Sequence, residues 1–166
     1  LYADDMCLLA PSRGGMQEQL PICEDFCREY CLSFNVNKSK AMVFGNMKEK
    51  TIDPLILNGK QIEFVSKWKY LGATIVSDKT LLFSCQPGLS SFYRSFNSLL
   101  SCVRKPNEST MMHLLYANCV PCLTYAAEVK DLSSRDMNNL NIALNNAIRR
   151  IFSYNRWESS RSLRQQ

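Results

Sequence analysis

The chain has 166 residues, 46% hydrophobic and 21% charged, with six glycines, six prolines and a net charge of +5. That is enough apolar material to bury a core in one or two small globular units, and it excludes a low-complexity or collagen-like chain. There is no apolar run near the ~20 residues that span a bilayer, and no basic-then-apolar leader opens the sequence, so an intracellular setting (cytoplasm and nucleus), with no membrane partner, is the expectation.

Near the start stand Tyr2-Ala3-Asp4-Asp5, followed by Met6-Cys7-Leu8-Leu9-Ala10. The flanking apolar residues read as two strands, which would put Asp4 and Asp5 on the tight turn between them. Adjacent carboxylates repel, so gathering two at one hairpin tip suggests a divalent cation held by hard oxygen ligands, and Mg²⁺ commonly shares such a site with substrate phosphates. The alternative is a solvated acidic turn, where Asp is common for its local hydrogen bonding.

A helix is expected over residues 15–32, with Pro21 as a kink or restart. Cys23, Cys27 and Cys31 recur every four residues beside Phe26 and Tyr30 and read as small apolar core fillers rather than zinc ligands. Next come Asn35-Val36-Asn37-Lys38-Ser39, a strand Ala41-Met42-Val43-Phe44, and a hairpin in which Leu55-Ile56-Leu57 and Gln61-Ile62-Glu63-Phe64-Val65 flank Asn58-Gly59, a type I′ dipeptide. Trp68-Lys69-Tyr70-Leu71-Gly72-Ala73-Thr74-Ile75 reads as one more strand containing a glycine.

From Leu81 onward the pattern turns helical. Phe92, Phe96, Leu99, Leu100 and Val103 form one stripe, and Asn107 caps a second helix through residues 108–125 that buries Met111, Leu114, Leu115 and Cys119. Ser133 and Asp136 offer a capping box for a third, striped by Met137, Leu140, Leu144, Ile148 and Ile151. Cys119-Val120-Pro121-Cys122 has redox spacing but sits in a helical pattern without the preceding strand of a thioredoxin-like unit, and His113 reads as packed or half-exposed. The polar end, residues 158–166, is expected to fray.

Three of these segments, in this order, resemble the reverse transcriptases of non-LTR (LINE-like) retrotransposons. Tyr2-Ala3-Asp4-Asp5 looks like the family's Y-A-D-D box, Asn35-Val36-Asn37-Lys38-Ser39 like its N-x-x-K-[ST] segment, and Tyr70-Leu71-Gly72 like the Y-L-G of the primer grip. The resemblance covers residues 1–75 and extends more weakly through Leu123-Thr124-Tyr125-Ala126-Ala127-Glu128 and the helix carrying Ala147-Ile148-Arg149-Arg150. The chain departs from the family at Cys31, where members often carry glycine before the leucine, at Ala126, where they carry glycine after the tyrosine, and at Lys130, near which they carry tryptophan.

The resemblance implies an α+β fold: residues 1–79 as the later part of a polymerase palm, an antiparallel sheet with one packed helix, and residues 80–157 as a helical thumb-like bundle. It implies an RNA-directed DNA polymerase that extends a primer 3′-hydroxyl from deoxynucleoside triphosphates on an RNA template, using two Mg²⁺ ions. Asp4 and Asp5 would be the metal ligands, Asp4 the principal one, and Lys38 would steady the leaving pyrophosphate, with Lys40 as runner-up. Tyr2, Ala3, Lys40, Tyr70, Leu71 and Gly72 would meet primer and template. A further aspartate from an earlier strand and a fingers domain belong to the complete enzyme, so the chain reads as a piece of a longer retrotransposon polyprotein. The other reading is an inactive remnant that binds nucleic acid nonspecifically.

Charge distribution fits either. Residues 1–37 carry net −4, residues 38–105 net +7 and residues 106–166 net +2. The lysine-rich middle suits a phosphate backbone, as Trp68 and Tyr70 between Lys67 and Lys69 suit sugars or bases, although lysines also protect sheet edges from aggregation.

Overall fold

A computed structural model describes residues 4–45, 52–102, 107–155 and 157–158. The fold is α+β: five α-helices and two three-stranded sheets among the described residues. The chain divides into two compact units, Leu1–Trp68 with Ile75–Leu81, and Lys69–Thr74 with Leu82–Gln166.

In the first unit, helix α1 (Arg13–Glu29) starts at Ser12, whose hydroxyl accepts from the Gly15 amide, and runs through Pro21. It ends in a Schellman motif: the Leu32 amide donates to the Cys27 carbonyl at 2.7 Å and the Cys31 amide to the Arg28 carbonyl at 3.3 Å. Cys31 therefore sits at the left-handed position (φ 53°) that glycine fills without strain. Along α1, buried Leu20 and half-buried Met16 pack with Leu55, Leu57 and Ile62, and Cys27, further along the helix, is buried too. That phase turns Phe26 and Tyr30 outward, where their rings lie 4.6 Å apart, and leaves Cys31 exposed, so the expected core face holds only for Cys27 and half-buried Cys23.

Strand β1 is only Lys40–Ala41, because beyond it the backbone turns to other partners: the Val43 carbonyl accepts from the Ser77 hydroxyl and the Gly45 amide donates to the Asp78 carbonyl. β1 runs parallel to β3 (Lys60–Phe64), and β3 pairs antiparallel with β2 (Leu55–Leu57), so this sheet is mixed, in the order β1-β3-β2. The Asn58-Gly59 turn has both φ angles positive (50° and 71°), as a type I′ hairpin requires. Three α1 side chains reach this hairpin. Arg13 donates to the Pro54 carbonyl, Gln17 both donates to and accepts from the Ile56 backbone, and the Glu24 carboxylate accepts from the Asn58 amide at 2.5 Å.

The expected single strand through Leu71-Gly72 is two, β4 (Lys67–Tyr70) and β5 (Ala73–Ser77), because Leu71 (φ 47°) and Gly72 (φ 81°) together form a tight turn. β6 (Leu81–Ser84) then adds a strand where helix was expected, completing the sheet β4-β5-β6. Met6-Cys7-Leu8-Leu9-Ala10, expected as a strand, is irregular. Leu8 packs on the first core while Leu9 is 79% exposed, and the segment finds no ladder among the described residues.

In the second unit, α2 (Gln86–Cys102), α3 (Glu108–Leu114), α4 (Val120–Thr124) and α5 (Ser134–Ile151) enclose Phe92, Phe96, Leu115, Cys119, Leu123, Ala143, Ala147 and Ile148. α3 is capped by Asn107, and α5 begins in a full Ser133/Asp136 capping box. Within the α5 stripe Ile148 is fully buried, while Met137, near the start, is 47% exposed. Between α3 and α4 the helix widens into a π turn, Leu115–Cys119, in which the Val120 amide bonds back five residues to Leu115. Pro121 has no amide to donate, and the wider turn adjusts the ladder just ahead of it. α2 and α4 approach closely at Gly88, where a Cβ would lie 2.8 Å from the Cys122 carbonyl oxygen.

Candidate nucleic-acid interface

Tyr2 and Ala3 lie outside the described residues, as do Lys48, Lys50, Arg104 and Lys105 of the basic middle. Asp4 occupies a turn and Asp5 an isolated bridge, and both are exposed. Among the described residues no three His, Cys, Asp or Glu side chains gather as a metal cluster. Two exposed, adjacent carboxylates match the one or two that Mg²⁺ takes from protein, the remaining positions being filled by water and phosphate oxygens. They are half of a two-metal set at most.

Lys38 stands on a turn that Asn35 builds. The Asn35 carbonyl accepts from the Lys38 and Ser39 amides, each at 3.0 Å, and from the Ser39 hydroxyl at 3.1 Å, while its side-chain oxygen accepts from the Lys38 amide at 3.3 Å. Asn35 and Ser39 thus shape the segment and leave Lys38 exposed on it. An open cleft of about 460 Å³ lies against this turn, lined by Ser33, Phe34, Asn35, Asn37, Asn58 and Lys60 among others.

Lys40 is placed differently. Its ammonium pairs with Glu63 at 2.5 Å across the β1–β3 ladder and lies 5.8 Å from the centre of the Trp68 ring, with 15% of its side chain exposed. Such a lysine is already neutralised, so Lys60, Lys67, Lys69, Lys79 and Arg94, all exposed, are better disposed toward phosphates. Glu63 carried no signal in the sequence beyond its place in the strand. Lys67 and Lys69 share one face of β4, with Trp68 and half-buried Tyr70 on the other.

Tyr70 closes β4, and Leu71-Gly72 turns the chain into β5. The space that glycine leaves is filled from within the second unit. The Tyr125 hydroxyl donates to the Leu71 carbonyl at 2.7 Å, and a Cβ on Gly72 would lie 2.8 Å from the Tyr125 ring. Tyr125 (φ −56°, ψ 125°) and Ala126 (φ 55°, ψ 24°) have the angles of the two central residues of a type II turn, whose second position favours glycine. Lys130 steadies it by donating to the Tyr125 carbonyl at 2.8 Å.

Cysteine and histidine chemistry does not gather here. All eight cysteines are free thiols. Burial, then neighbouring Cys122, pushes the Cys119 thiol upward, the reverse of the lowered value a reactive redox pair uses, and His113 is exposed.

Compared with protein-family models, curated proteins and solved structures, the chain matches none.

The left-handed residues Cys31 and Ala126 yield a direct expectation. A side chain there costs roughly 1–2 kcal/mol, partly offset because glycine gains entropy in the unfolded chain. Cys31→Gly and Ala126→Gly should each raise stability by about 0.5–1 kcal/mol, read as a higher urea midpoint at unchanged slope.

Proposed function

We propose that the chain is part of an RNA-directed DNA polymerase of the non-LTR retrotransposon type, comprising the later palm and a thumb-like bundle. The observation that carries this reading is the backbone at two departures from the family. Cys31 and Ala126 stand where members carry glycine, and both hold the left-handed conformation that glycine serves best. Left-handed residues are ordinary at helix ends and type II turns, so the weight lies in both coinciding with the family's glycine positions. The Leu71-Gly72 turn and the Asn35-organised turn under Lys38 add to it, each motif having a local shape that accounts for its residues.

On this reading Asp4, aided by Asp5, holds Mg²⁺ together with a further aspartate outside these residues. The ions supply Lewis-acid stabilisation of charge on the attacking and leaving oxygens. Lys38 places a positive charge for the departing pyrophosphate. The Leu71-Gly72 turn offers the primer those backbone groups that Tyr125 leaves uncovered, and the exposed lysines neutralise template phosphates without reading sequence.

A second reading, an inactive remnant with nonspecific affinity for nucleic acid, is favoured by the departures from the family at Cys31, Ala126 and Lys130. Both readings predict salt-sensitive binding by the 166 residues, with log K falling against log salt at a slope of about −3 to −5 for some four to six phosphate contacts. Primer extension on an RNA template with Mg²⁺ separates them. The chain joined to any open frame upstream of Leu1 should extend the primer if the parent is a polymerase, and should not if it is a remnant. Binding that ignores salt would defeat both.

A further inference from the structure

We propose that Tyr125 is the positioning residue of the Tyr70-Leu71-Gly72 turn, fixing the backbone that meets the primer terminus. The inference rests on the polymerase reading for what the turn touches, and on geometry within the second unit for how it is held.

The turn is strained. Leu71 is a branched, non-glycine residue at φ 47°, a conformation that persists only where surrounding structure over-determines it and that concentrates at functional sites. Its carbonyl takes one long-range side-chain hydrogen bond, from Tyr125, 54 residues away in sequence. The same ring covers Gly72 so closely that the turn has no room to roll over, since a Cβ there would meet ring atoms at 2.8–3.1 Å. One side chain thereby sets both the peptide plane at Leu71 and the space above Gly72.

Tyr125 is held in turn by its own neighbours along the chain. Its amide donates to the Pro121 carbonyl at 3.0 Å, its carbonyl accepts from Lys130, and the left-handed Ala126 after it bends the chain away. A tyrosine kept for core packing would be buried. This one is 55% exposed, so little apolar burial explains it, whereas the hydroxyl-to-carbonyl bond and the ring over the glycine do. A turn fixed from outside the hairpin presents its backbone at a constant angle, which is what a strand terminus needs to be held in line for attack.

The test uses the 166-residue chain, Tyr125→Phe and Gly72→Ala, with two labelled RNA–DNA duplexes read by anisotropy. One has a recessed DNA 3′ end and the other is blunt at that end. Wild type should prefer the recessed end. Tyr125→Phe keeps the ring and removes one neutral hydrogen bond, and should weaken recessed-end binding roughly fivefold while leaving blunt-end binding unchanged. Gly72→Ala should do the same through the ring. The ratio of the two affinities is the decisive quantity, because a generally loosened structure lowers both together. A variant pair that retains the wild-type preference, or loses both affinities equally, overturns the positioning role with the polymerase reading intact. A wild type without preference overturns that reading and the role with it.

Discussion

Phe92→Ala should destabilise the chain by about 3–5 kcal/mol, seen as a large fall in the urea midpoint and loss of cooperative melting of the helical unit. Phe92 is fully buried on α2 and lies parallel to Phe96, with centroids 6.3 Å apart and planes 12° apart, against Leu115, Cys119 and Ile148. It is among the largest fully buried side chains, and helices on several sides of the cavity limit how far the site can collapse. Domains of this size are stable by only ~5–15 kcal/mol, so the loss approaches the total. Phe92→Leu, which leaves less empty space, should cost clearly less, and equal costs for the two would mean the cavity is not what matters.

Asp4→Ala carries the second large effect, on activity. In the polymerase as proposed, with its upstream frame, primer extension should fall by roughly a thousandfold or more, because several kcal/mol of charge stabilisation passes through that ligand and each 1.36 kcal/mol is a factor of ten. Binding of primer–template should not weaken, and should tighten slightly as a negative charge leaves the neighbourhood of phosphates. Extension that survives the change would remove Asp4 from the metal site. Binding that collapses along with extension would make Asp4 a structural residue.

Local signals were legible in the sequence wherever one residue dictates one geometry. Asn58-Gly59 gave its turn, Asn107 and Ser133/Asp136 their caps, and the Phe92–Phe96 spacing the second core. Signals that depend on tertiary partners were not. Leu71-Gly72 reads as strand because leucine is not a turn former, and its left-handed backbone is held by the pairing of β4 with β5 and by the Tyr125 hydroxyl from far along the chain. Phe26 and Tyr30 look like core by composition, but the phase of α1 is set by Leu20 and Met16 against the β2–β3 hairpin, which faces them the other way. Leu81-Leu82-Phe83 is too short an apolar run for periodicity to tell strand from helix, and a neighbouring strand decided it. For the candidate site, Asp4, Asp5 and Lys38 could be picked out as exposed charged groups, whereas the neutralisation of Lys40 by Glu63 depends on a parallel register that no sequence pattern announces.

The widened turn ahead of Pro121 has a consequence for how insertions and deletions would be felt. Leu115, Cys119 and Leu123 are all interior, at steps of four, and in an unbroken α-helix each such step swings a side chain about 40° off the previous one. The extra residue in the π turn absorbs that swing, so the three stay on one side while the imide nitrogen of Pro121 escapes an impossible bond. Removing one residue here would restore an ordinary ladder with Leu123 seven steps after Leu115, only about 20° off it, so the interior face would survive; a second deletion, with no wide turn left to absorb it, would wheel everything after it by about 100°, carrying Leu123 out to solvent and Tyr125 away from Leu71. What looks like a local irregularity is therefore a one-residue allowance ahead of the hairpin that the far end of the helix serves.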